Sequence, residues 1–204
     1  MSGMREKRVG AIVLAAGAAA RMGRIKQLLK VEGQSLLRRA VRAAIEGGCG
    51  PVIVVTGAHG RETAAEIADL AAVTVENRGW AAGMGSSIRA GLAALEDTKP
   101  EMDAAVILVC DQPHLSGAVV KALVEAWSAG GRPMAACEYG GTVGTPCCFD
   151  RSVFANLAKL GDAEGAKGLL VADPAGVTRV PWPQGEVDLD TPEDCQSFFD
   201  RLME

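Results

Sequence analysis

Runs of apolar residues alternate with segments whose apolar positions recur every three to four residues, so strands and helices are predicted in turn. Residues 9–14 form a continuous apolar run that ends at a glycine loop, the pattern of a parallel strand buried on both faces. Residues 35–46 have helical spacing and stop at Gly47-Gly48. PVIVVT at 51–56 reads as the next strand, 61–70 as a second helix and 72–76 as a short strand. A third helix is predicted over 84–95, with Ser86 and Ser87 near its start. AAVILV at 104–109 is another buried strand, closing at Cys110-Asp111, and Ser116 is expected to cap a helix running to about residue 127.

Near residue 131 the rhythm changes. Residues 133–138 and 143–149 read as strands joined by Tyr139-Gly140-Gly141. Helical stretches come after them at 152–160 and 164–172, then a strand at 177–180 and a turn at 181–185. Thr191-Pro192 opens a C-terminal helix with Asp190 or Thr191 as its cap. The βαβ alternation predicts an α/β fold with a mostly parallel, Rossmann-like sheet covered by helices on both faces. One domain is expected over 1–204, with one functional part at about 8–130 and a second at about 131–190. Ligands of such sheets bind beyond the carboxyl ends of the strands, and the sequence puts Gly17, Asn77 and Asp111 there.

Composition narrows the class. Half of the 204 residues are hydrophobic (49%), aromatics are scarce (4%) and 25 are glycine, which suits an α/β protein with many turns. A net charge of −4 argues against a broad nucleic-acid-binding face, yet leaves room for a small anion held by a local cationic cluster. With no signal peptide and no apolar run of membrane-spanning length, a cytoplasmic protein is expected. Cys49, Cys110, Cys137, Cys147, Cys148 and Cys195 contain no CxxC pair and no metal-ligand spacing, so they read as buried free thiols. Only His59 and His114 could partner a catalytic cysteine.

Three segments offer chemistry. In LAAGAAARMGRIK at 14–26, small residues let backbone N–H groups approach an anion, and Arg21, Arg24 and Lys26 add three cations. Together they describe a triphosphate cradle, although a solvated basic turn would share those features. The spacing is neither GxGxxG nor GxxxxGK[ST]. Asp111 comes after a buried strand, where a carboxylate can hold Mg²⁺ against phosphate oxygens; an ordinary turn aspartate before proline is the alternative. Asp188 and Asp190 offer a second metal carboxylate, and helix capping explains Asp190 as well. NRGWAAGMGSS at 77–87 is a glycine-rich approach to a helix N-terminus, where Ser86, Ser87 and free N–H groups could meet a base, ribose or phosphate, while Trp80 reads as packing.

The chain resembles the nucleotidyltransferase family typified by molybdenum cofactor cytidylyltransferase and guanylyltransferase. The matching elements are LAAGAAARMGRIK at 14–26, GMGSS at 83–87, DQP at 111–113, GTP at 144–146, GDAEGA at 161–166 and DLDTPED at 188–194, spread over nearly the whole chain. The resemblance implies a glycosyltransferase-A-like three-layer fold and transfer of a nucleotide from an NTP to an acceptor with loss of pyrophosphate. It implies that Arg21, Lys26 and Asp111 act in catalysis. The nucleotide would be bound by Leu14, Ala15, Ala16, Gly17 and Gly23, and by Gly83, Met84, Gly85 and Ser86. Mg²⁺ would be held by Asp111 and Asp190. The acceptor side would comprise Gly144, Pro146, Gly161, Asp162, Gly165 and Ala166. Ala16 stands where the guanylyltransferase branch usually has a second glycine, which favours CTP. A phosphorylated acceptor of the molybdopterin type is implied, with a molybdoenzyme or its chaperone as a further partner and neither nucleic acid nor membrane. Thr145 departs from the histidine that the cytidylyltransferase branch often carries, so a sugar phosphate is a rival acceptor. A non-catalytic nucleotide-binding chaperone and a nicotinamide-dependent oxidoreductase are the readings from other classes.

Overall fold

The computed structural model describes residues 7–18, 22–23 and 25–202. In chain order its elements are β1 (Val9–Ala15), β2 (Lys30–Val31), β3 (Gln34–Ser35), α1 (Leu36–Glu46), β4 (Val52–Thr56), α2 (Gly60–Glu66), β5 (Val73–Glu76) and α3 (Met84–Thr98). Next come β6 (Ala104–Val109), α4 (Gly117–Gly130), β7 (Met134–Tyr139), β8 (Thr142–Asp150), α5 (Phe154–Leu157), α6 (Lys167–Ala172), β9 (Val177–Pro181) and α7 (Pro192–Leu202). Short 3₁₀ turns sit between several of them.

A seven-stranded sheet has the order β5-β4-β1-β6-β8-β7-β9. The pairs β4–β5, β1–β4, β1–β6 and β7–β9 are parallel, and β8 runs against both its neighbours. The sheet is therefore mostly parallel, as the β-α rhythm implies. Strand pleat sorts the apolar runs onto two faces. Ala11, Val13, Val52, Val54, Val106 and Leu108 pack with Leu37, Val41, Val120 and Leu123 of α1 and α4. Ile12, Ile53, Val55, Ala105 and Ile107 pack on the other face with Ile88, Leu92, Leu95, Phe154 and Leu170 of α3, α5 and α6. Fully burying one such isoleucine or leucine is worth about 2 kcal/mol. The helix α3 lies so close to β1 that a Cβ at Gly91 would meet the Ile12 side chain.

Differences from the pattern-based elements are local. The second helix stops at Glu66, short of residue 70, and the stretches 152–160 and 164–172 shrink to a 3₁₀ turn with α5 and to α6. The side chain of Ser116 precedes α4 without a capping hydrogen bond; its carbonyl instead accepts from Val119 and Val120. The β2–β3 hairpin, absent from the sequence reading, turns on Glu32-Gly33 with both φ positive, as two-residue hairpin turns require. Gly140 and Gly141, also at positive φ, make the equivalent turn between β7 and β8.

A third apolar cluster lies apart from the sheet. Met22, Leu29, Val31 and Leu36 meet Leu189, Cys195 and Phe198 there, tying the chain after β1 to the C-terminal segment. Among the described residues no helix is long and apolar enough to cross a membrane.

Candidate active site

Parallel pairing aligns Leu14 of β1 with Val109 of β6, so the chains leaving both strands emerge side by side. They border a cleft of about 340 Å³. Leu14, Ala16 and Gly17 come from the first strand end, and Val109, Cys110 and Asp111 from the second. Lys26 and Gln27 close one side, while Trp80, Gly83, Met84 and Ser87 close another. Gly83 has φ 135°, a conformation open to glycine, and a Cβ there would collide with the Asp162 carbonyl.

Charge converges at the mouth of this cleft. The Lys26 ammonium lies 3.1 Å from Asp111 Oδ2 and 2.5 Å from Asp190 Oδ1. Partial burial pulls the lysine pKa down, but the two carboxylates outweigh it and hold the value above that of an ordinary lysine. Asp190 reaches this point although it is 79 residues beyond Asp111 in the chain. The Leu189 amide donates to the Asp111 carbonyl at 2.9 Å, and the Leu189 side chain is buried in the third cluster. Capping of α7 falls to Thr191 and Asp194: the Asp194 amide donates to Thr191 Oγ1 at 3.2 Å, and Asp194 Oδ2 accepts from the Thr191 amide at 2.8 Å. The Asp190 side chain is thus left to face Lys26.

Two carboxylates that share one cation are also a hard-oxygen donor pair. Among the described residues no third acidic, histidine or cysteine side chain completes a metal cage. Such a pair suits Mg²⁺, which keeps water and takes phosphate oxygens alongside one or two carboxylates.

Buried amides hold the walls. Gln27, 4% exposed, donates through Nε2 to the carbonyls of Ala15 at 3.1 Å and Gly17 at 2.7 Å, clamping the backbone where it leaves β1. Asn77 donates to Ser86 Oγ at 2.8 Å and Ser87 Oγ at 3.0 Å, fixing the first turn of α3. Beneath that turn, the Gly85 amide donates to the Asp162 carbonyl at 2.9 Å, and Arg89 binds both the Leu160 carbonyl and Asp162.

A second cavity, of about 400 Å³, shares Asp111, Val109 and Met84 with the first. Its far wall brings Tyr139 of β7, Gly140 of the β7–β8 turn, Thr142 and Thr145 of β8, and Gly185, Glu186 and Asp188 together. Gln112 joins them: Nε2 donates to the carbonyls of Thr145 and Gly185 at 3.1 Å each and lies 3.3 Å from the Tyr139 hydroxyl. Tyr139 gives its own proton to the Thr145 carbonyl at 2.9 Å. Burial, together with Asp190, Asp111 and Asp194, pushes the Asp188 carboxyl above its ordinary pKa.

Of the residues singled out from sequence, Leu14, Ala16, Gly17, Lys26, Gly83, Met84 and Asp111 line the first cleft. Ala15 is buried behind it, and Gly23 ends the loop with φ 62°. Gly85 and Ser86 lie in the α3 turn that Asn77 and Asp162 secure. Arg21 and Arg24 lie outside the described residues. Gly144 and Pro146 are buried within β8, and the pleat turns Thr145, between them, toward the second cavity. Gly161, Asp162, Gly165 and Ala166 lie beside the α3 turn and border neither cavity; a Cβ at Gly165 would come 3.3 Å from Met84 Sδ. Gln27, Gln112 and Tyr139 escaped the sequence reading. The signal open to it for the two glutamines was a polar residue directly after each charged candidate, Lys26 and Asp111.

The profile of the MobA-like NTP transferase domain matches residues 11–177, which includes both strand ends, Lys26 and the β7–β8 unit. The chain belongs to that family. Nicotine blue oxidoreductase of Paenarthrobacter nicotinovorans is 38% identical over 117 residues, 57% of this chain and 55% of that one. The chain therefore spans about half the length of that relative. The crystal structure of Rv0371c from Mycobacterium tuberculosis superimposes with a TM-score of 0.78 at 26% identity, covering 95% and 98% of the two chains. Another structure of Rv0371c is a manganese complex, with a TM-score of 0.67. A nucleotidyl transferase from Methanothermobacter thermautotroptrophicus shares the fold, with a TM-score of 0.81 at 21% identity over 97% of this chain and 99% of that one.

Proposed function

We propose that this NTP transferase moves a nucleoside monophosphate, CMP in preference, from an NTP to a phosphorylated acceptor of the molybdopterin type, releasing pyrophosphate with Mg²⁺. The observation that carries the reading is the meeting of Lys26 with Asp111 and Asp190 where the two cavities join. The first cleft suits the nucleotide. Its strand-end backbone is held by Gln27, and Lys26 provides a cation for a phosphate oxygen. Ala16 lines this cleft at the position where the guanylyltransferase branch usually has a second glycine, which favours CTP.

Asp111 and Asp190 would hold Mg²⁺, which when bound neutralises charge on the triphosphate oxygens. The manganese complex of Rv0371c supports a divalent ion in this family. An acceptor phosphate is already ionised near neutral pH, so in-line attack on the α-phosphorus needs no strong base. The protein's part is alignment and charge stabilisation, and one stabilising group is commonly worth about 3 kcal/mol, a hundredfold in rate.

Pyrophosphate release is measured for CTP, GTP, ATP and UTP against molybdopterin and sugar phosphates. Release with CTP and molybdopterin is expected; a silent panel would sink the transferase reading, and release with sugar phosphates alone would reassign the acceptor. The relative named an oxidoreductase motivates a second reading, a redox enzyme on the same scaffold. Oxidation of NADH with a dye acceptor, without pyrophosphate release from any NTP, would favour it.

A further inference from the structure

Beyond the reacting phosphate, the acceptor has a body, and the second cavity is where it would lie. The described wall of this cavity carries three carboxylates, Asp111, Glu186 and Asp188, and no lysine or arginine. The remaining polar surface is rich in acceptors. The Thr145 and Gly185 carbonyls each accept from Gln112, and the Tyr139 hydroxyl has already given its proton to Thr145. Gln112 is the most telling member. It is 6% exposed, its Nε2 is surrounded by acceptors, and its Oε1 is buried with no hydrogen-bond partner among the described residues. A buried acceptor left unmet is a cost that a ligand donor relieves.

We infer that the acceptor presents N–H or O–H donors on a neutral or cationic body, and that Glu186 and Asp188 reject a body with a second anionic group. This rests on the nucleotidyl-transfer reading and deepens it by naming the chemistry of the acceptor. The physical cause is like-charge repulsion in a partly enclosed cleft, together with one unpaired acceptor, Gln112 Oε1, that a carboxylate or second phosphate cannot satisfy. The only cation among the two cavities' described walls, Lys26, lines the first, is engaged by Asp111 and Asp190, and cannot offset it.

Three phosphomonoesters differing in the charge of their bodies test the inference: phosphoethanolamine (cationic), glycerol 3-phosphate (neutral) and 3-phosphoglycerate (anionic). Affinities are measured by calorimetry on the protein loaded with Mg²⁺ and α,β-methylene-CTP. The first two are expected to bind at least about tenfold more tightly than 3-phosphoglycerate at low salt, with the gap shrinking as ionic strength rises. Asp188→Asn with Glu186→Gln, both exposed positions, should narrow the gap to about threefold or less. Equal affinities, an order that the double variant leaves untouched, or no binding by any of the three overturns the inference. Failure of α,β-methylene-CTP to bind speaks against the transferase reading instead, and the panel is then read on the nucleotide-free protein.

Discussion

The two cavities that meet at Asp111 are built from different material. The first is formed by the segments leaving β1 and β6, strands aligned by parallel pairing, together with the approach to α3, and its charged groups are Lys26 and Asp111. The second is assembled from the β7–β8 hairpin, the turn at 183–186 and Asp188, segments drawn together by Gln112, by Trp182 against β7 and by the third apolar cluster. One cavity sets a cation beside the shared Asp111, and the other adds two further carboxylates and no cation among its described residues. A site with that asymmetry can hold two anionic partners at its centre and still discriminate between their outer parts.

The largest expected effect comes at the shared centre. Asp111→Ala should lower NTP-dependent pyrophosphate release by about a thousandfold while the melting temperature stays within a few degrees. Near-wild-type release would remove Asp111 from the metal site. Lys26→Met separates two roles. Affinity for CTP should fall by about tenfold or more, because a charge-assisted phosphate contact is lost. Mn²⁺ binding to the nucleotide-free protein, monitored by paramagnetic resonance, should tighten several-fold, since the ammonium now sits between the two carboxylates. Weaker Mn²⁺ binding would show that lysine and metal do not compete.

The next two substitutions break the comparison between cavities in opposite directions. Gln112→Leu leaves the Gly185 carbonyl without its side-chain donor and the Thr145 carbonyl with Tyr139 alone. It should raise the acceptor KM by about tenfold and lower Tm by a few degrees, with CTP affinity unchanged. Gln27→Leu releases the Ala15 and Gly17 carbonyls, and should raise the CTP KM by about fivefold with the acceptor KM unchanged. Both variants affecting both substrates equally would mean that the cavities are not separable. The smallest effect concerns the thiols. Burial pushes Cys49 and Cys137 up to about 12, and raises Cys110, Cys147 and Cys148 as well. Alkylation of the native protein by iodoacetamide near pH 8 should therefore be slow at all five and leave CTP binding intact. Rapid labelling of Cys147 with loss of acceptor binding would bring that thiol into the second cavity.

Much of the sheet was legible because a buried parallel strand is a continuous apolar run, and 9–14, 51–56 and 104–109 match β1, β4 and β6 to within a residue. Asp111 was legible for the same reason, since a polar residue after such a run must emerge at the ligand edge. The acceptor wall was harder. In β8 the motif Gly144-Thr145-Pro146 suggested its outer members, yet alternation buries those two and presents Thr145. The segment 161–166 matched a family motif, but motif membership does not say whether a residue lines a cavity or supports the α3 turn beneath it. The capping alternative for Asp190 could not be settled from sequence either, because Asp190 and Thr191 are equally good caps by residue type.

The sequence by itself determined the layered α/β arrangement, the glycine-rich exit from β1 and the acidic exit from β6, since these arise from local periodicity and strand ends. Only the tertiary structure decided that Asp190 reaches Lys26, that Gln27 and Gln112 grip the two walls, and that the second cavity is acidic. The Asp190 and Gln112 contacts join segments tens of residues apart, and Asp190 is placed beside Lys26 as its neighbour Leu189 enters the apolar cluster with Met22 and Phe198. Burial of that side chain is a long-range event, and no local pattern around residue 189 records where it will land.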